Sequence, residues 1–129
     1  MTHGQRLMAI SSGFEAATGL LLLIAPSFLA RLLIGSEIAG AAIIIAAIAG
    51  LALISLAIAC WPTSERAGLG SYAGLLVYNL LVALLLLETL ATSAAHGLLL
   101  WPAILIHLVL TVLIALALIG ARRRPAVRS

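Results

Sequence analysis

Apolar residues run in long stretches along this chain, broken by short polar clusters, with no alternation of the kind a half-buried strand or a surface helix shows. A helix of about 20 apolar residues crosses the ~30 Å hydrocarbon layer of a bilayer. Four stretches reach that length. The first runs from about Leu7 to Ala25 and stops at Pro26, which disfavours helix in the residue before it. The second runs from about Ile38 to Cys60, with Ser36 and Glu37 ahead of it as N-cap and first-turn anion, and Trp61-Pro62 behind it. The third covers about Leu69 to Glu88, and the fourth about Leu98 to Ile119, ended by Gly120 and an Arg run. The pattern predicts an all-α integral membrane protein. Its form is a four-transmembrane-helix antiparallel bundle with short loops, one domain over residues 1–129, ending in a basic tail at 120–129.

The first stretch also has the outline of a signal peptide, with His3 and Arg6 ahead of an apolar run. Ser11, Ser12, Glu15 and Thr18 interrupt that run, and no clear A-x-A site follows, so a retained span is expected. The first connection, PSFLARLLIGSE, places Phe28, Leu29, Leu32 and Leu33 for one or two turns on the membrane surface, with Arg31 facing water and Gly35 ending the turn. The second, WPTSERAGLG, reads as a polar turn, and the third, TLATSAAHG, carries His96 among small residues.

Composition agrees with the pattern. Hydrophobic residues make up 64% of the chain, against roughly 45–50% in soluble domains. The charged residues are seven Arg and four Glu, and residues 1–121 hold just seven of these charges. That is too little polarity to cover a soluble fold. One cysteine, Cys60, allows neither an intramolecular disulfide nor a thiolate metal site. It reads as a packing residue, with palmitoylation as the alternative. The pI near 10.0 comes from the tail and not from a basic face with aromatics, so no nucleic-acid partner is expected. Phosphate-binding glycine loops, HExxH and GxSxG are absent, and the expectation is a protein that is not an enzyme.

Arg6, Arg66 and the tail residues Arg122, Arg123, Arg124 and Arg128 all fall on one side of an even-spanned bundle. Arg31 alone falls on the other, where Glu37 offsets it. The positive-inside rule then puts both termini in the cytoplasm and the protein in the inner membrane. Trp61 and Tyr72 mark the inner interface and Trp101 the outer. The Arg122–Arg124 tail suits anionic lipid. A duplication of residues 1–64 over 65–129 matches in hydropathy alone.

Lipid gives helices no hydrophobic push together, so small and polar residues carry the contacts. Ala42, Ala46 and Gly50 form a small-residue ridge on the second span, and Gly70 and Gly74 a GxxxG on the third. Both suit packing within the bundle, or else a homo-oligomer face. Glu15, Asn79 and His107 lie at one depth, within about three residues of their spans' midpoints. Thr18 shares a face with Glu15, and Thr111 with His107. Such costly groups face the bundle interior and pair there, so Glu15 is expected to bond Asn79, His107 or both. Tyr78 adjoins Asn79 but points about 100° away. Glu88 ends the third span as a solvated group or as a partner of Arg31 or His96. Two ligands at most, Glu15 and His107, are too few for zinc, and haem ligation by paired histidines would need a second His107 or the peripheral His96. No metal or cofactor is expected.

Four spans in a short chain, with Glu15 in an FEAATG context on the first, resemble the small multidrug resistance exporters. That resemblance implies a first-helix Glu exchanging protons for cationic drugs within an antiparallel dimer. The third span, SYAGLLVYNLLVALLLLE, lacks the family's aromatic-rich pattern, the first-helix Lys is missing, and His107 is an addition. Two functions stay open. One is a non-catalytic accessory or structural subunit docking on a larger membrane complex, favoured by thin loops, tight small-residue packing that leaves little room for a cavity, and the absence of charged gates or an extramembrane domain. The other is an oligomeric proton-coupled transporter of a small cationic or amphipathic substrate that uses Glu15, favoured by the shared depth of the polar residues.

Overall fold

The computed structural model describes residues 2–63, 68–93 and 96–122. Arg66, Arg123, Arg124 and Arg128 lie outside the described residues, and with them most of the positive charge on which the expected orientation rests. All regular structure among the described residues is helical. The helices are α1 (His3–Ile24), α2 (Pro26–Ile34), α3 (Ala41–Cys60), α4 (Leu69–Thr92) and α5 (Leu100–Arg122). Helices α1, α3, α4 and α5 are long and apolar enough to cross a membrane. Their outward faces carry exposed aliphatic chains such as Ile44, Ile58, Leu105 and Leu116.

The helix ends differ from the sequence expectation for local reasons. Helix α1 starts at His3 because Thr2 and Gln5 form a capping box, each side chain bonding the other's backbone N–H. Ser36 and Glu37 do not cap α3. Gly40, at φ 58°, precedes its first residue, and Glu37 instead pairs with Arg31 at 3.2 Å on the surface. Helix α4 runs past Glu88 to Thr92, and α5 continues through Gly120 to Arg122. The amphipathic turns expected around Phe28–Leu33 are present as α2, started by Pro26 and closed by Gly35 at φ 79°.

Two helix pairs make the body: α1 packs on α3, and α4 on α5, with thinner contact between the pairs. A Cβ added to Gly19 would sit 2.6 Å from the Gly50 carbonyl oxygen, and the reverse distance is also 2.6 Å. The two backbones therefore meet where neither residue has a side chain. Gly50 does the work expected of the small-residue ridge, with Leu53, Ala57 and Cys60 continuing the buried face; Ala42 and Ala46 are half-buried. Gly70 meets nothing in the chain, and Gly74 touches the Cys60 sulfur alone, so this pair forms no close crossing among the described residues.

Between the pairs, Met8, Cys60, Tyr72, Leu75, Leu110, Ile114 and Leu118 form one core cluster. Tyr72 belongs to that core at 5% exposure and is not an interface anchor; its ring lies against Gly4, where a Cβ would collide with the hydroxyl. Trp61 and Trp101 are exposed as a belt requires. At the opposite end, the backbone N–H groups of Gly97 and Leu99 donate to the carbonyls of Leu33 and Leu32, which are free at the end of α2. A side chain at Gly97 would run into the Leu32 carbonyl. Ser27 Oγ ties α2 to the segment before α3 by donating to the Ile38 carbonyl at 2.6 Å.

Candidate functional site

The mid-helix polar residues converge, but not as one network. Glu15, Asn79 and His107 are all buried. The Asn79 amide nitrogen donates to the Leu75 carbonyl one turn back at 2.8 Å, which turns its oxygen toward α5. His107 Nδ1 lies 2.9 Å from that oxygen. An amide oxygen accepts only, so Nδ1 carries the proton. The rings of Phe14 and Tyr78 stand edge-on to the imidazole at centroid distances of 5.9 and 6.0 Å, fixing its plane.

Glu15 stands apart from this pair. Contrary to the sequence expectation, it bonds neither Asn79 nor His107; the Tyr78 hydroxyl is the group directed at its carboxyl. That approach falls short of hydrogen-bond geometry, and both carboxyl oxygens are without a partner of ordinary geometry among the described residues. The roughly 100° between successive helix positions is what splits the work of α4: Asn79 faces α5 while its neighbour Tyr78 reaches α1. Ser11 and Ser12, on the same side of α1, are likewise buried with unpartnered hydroxyls. Thr18, Ser55, Thr89, Thr92 and Thr111 instead bond the carbonyl four residues back. Thr18 and Thr111 are thus committed to Phe14 and His107 carbonyls, outside any shared network.

Beside these residues lies a cavity of about 640 Å³. It occupies the space between the helix pairs in the half of the bundle that α2 covers, with Leu29 and Leu33 of α2 at one end. Its wall is apolar apart from Thr18, Tyr78 and His107, which mark the other end near the middle of the helices. The volume falls within the ~300–1,000 Å³ of small-molecule sites. The sequence expectation of little room is therefore overturned. The reason is visible in the wall: Ala49, Ala52 and Ala103 face the gap, and side chains that short do not fill it. Sequence reading also gave Gly19 and Phe14 no role, and set Tyr78 aside as pointing away from Asn79. Gly19 had a detectable signal, since it is the one glycine in the second half of the first span.

Among the described residues no cluster of three His, Cys, Asp or Glu is placed to hold a metal ion. The chain matches no protein-family model, no curated protein and no solved structure.

Proposed function

We propose that this chain is a non-catalytic, multi-pass inner-membrane protein, an antiparallel four-span bundle that holds a small amphipathic molecule between its two helix pairs. The cavity carries the reading: it is large enough for a ligand, apolar along its length and polar at a single end. A tightly packed accessory subunit needs no such space. Docking on a larger complex stays compatible with the exposed aliphatic faces, which are equally suited to lipid.

The test is binding of an environment-sensitive hydrophobic fluorophore to the protein in lipid nanodiscs. Saturable binding is expected, with Ala103→Phe abolishing it and leaving thermal stability intact. Undiminished binding to Ala103→Phe and to Ala52→Phe would overturn the reading.

A specific observation favours the transporter as a second reading. The Glu15 carboxyl has no hydrogen-bonded partner among the described residues, and Tyr78, which faces it, also lines the cavity. Intramembrane carboxyls of that kind serve proton relays. Substrate-dependent proton flux in liposomes, lost in Glu15→Gln, is its signature. No flux with the wild-type protein and a ligand that binds would exclude it.

A further inference from the structure

Two of the three polar side chains at this end of the cavity, Thr18 and His107, have a proton committed inside the protein. The Thr18 hydroxyl proton goes to the Phe14 carbonyl at 3.0 Å. The Tyr78 hydroxyl is directed at the Glu15 carboxyl. His107 uses its Nδ1–H on the Asn79 oxygen, because the Asn79 amide is held in that orientation by the Leu75 carbonyl. In an uncharged imidazole, a proton on Nδ1 leaves Nε2 as a bare acceptor. No described group bonds Nε2. What His107 offers a ligand is therefore an acceptor.

We infer that the bound molecule carries a hydrogen-bond donor as its head group, an alcohol or a phenol on an apolar body, received by Nε2 of His107. This rests on the cavity reading and adds its selectivity. A head with acceptors only, such as an ether or a ketone, finds no proton on His107 and leaves Nε2 stripped of water without replacement. A site built around one polar contact rejects the analogue lacking the matching group more sharply than it separates apolar bodies of different size. Asn79 is the positioning residue: it touches no ligand but decides which imidazole nitrogen is protonated.

The experiment compares 1-naphthol with 1-methoxynaphthalene, which share an apolar body and differ in the donor, using the full chain in nanodiscs. Naphthol should bind roughly fivefold to tenfold tighter, the range of one net hydrogen bond. In His107→Phe the two should bind equally, at about the methoxy compound's affinity. Nitrogen-15 NMR of wild-type His107 should show protonated Nδ1 and bare Nε2, with the Nε2 signal moving when naphthol is added and not when the ether is. In Asn79→Leu the two tautomers should mix and the naphthol advantage should shrink. Equal wild-type affinities, or a proton found on Nε2, overturn the donor rule while leaving the cavity reading in place. Binding of neither compound removes both.

Discussion

The two halves of the bundle are built from the same kinds of residue, and their interiors between the helix pairs are packed differently. Toward the start of α1, Met8, Tyr72, Leu75, Leu110 and Ile114 fill the gap between helix pairs, and a space of about 550 Å³ opens beyond them, beside Thr2, Gly4 and Gly120. Under α2, the same gap is faced by Ala49, Ala52 and Ala103 and stays open. Small residues thus act in two ways in one molecule. At Gly19 and Gly50 they let backbones touch, whereas on a wall already set apart they leave a void. The polar residues lie at the boundary between these ends, and they too divide. Asn79 and His107 are bonded to each other, while Glu15, Ser11 and Ser12 hold unpartnered oxygens.

Breaking the packed end should cost most. Ile114 is fully buried, and Ile114→Ala should lower stability by about 3 kcal/mol through lost contacts and a new cavity, measured by unfolding in detergent. A loss under about 1 kcal/mol would mean that this end is as loose as the other. At the boundary, Asn79→Leu strands the His107 Nδ1–H and should cost about 2 kcal/mol. Glu15→Leu should go the other way. It removes a buried carboxyl that no described residue bonds and substitutes an apolar side chain, so stability should rise by about 1 kcal/mol. A fall of similar size would place Glu15 with Asn79 among the groups that hold the bundle together. A rise accompanied by lost ligand or proton activity would mark Glu15 as a group kept at the expense of stability.

The helices were legible in the sequence because their signal is local: each apolar run declares its own span, and Pro26 and Gly35 bound α2 directly. That Glu15, Asn79 and His107 face inward was legible too, because costly polar groups in an apolar span are driven to the interior. Pairing was not. Which partner Asn79 takes depends on how far α4 is rotated about its axis, and a change of one position exchanges Asn79 for Tyr78. The cavity was invisible for the same reason, since an alanine reads alike whether its helix closes on a neighbour or stands away from it. Tyr72 misled because a tyrosine near a helix end suits an interface as well as a core, and Gly4 opposite it decides the matter.

The two backbone bonds from Gly97 and Leu99 to the end of α2 bear on how the chain tolerates added length. Connections between helices ordinarily accept insertions, because their backbone is solvated and owes nothing to the rest of the fold. This one is spliced to α2 as a short rung of ladder, with Gly97 too close to the Leu32 carbonyl to be replaced. One extra residue between Gly97 and Leu99 would put the rung out of step and release the end of α2. Epitope tags, reporter fusions and circular-permutation breaks therefore belong elsewhere in the chain, and the spacing from Gly97 to Leu99 is as fixed as that of any span.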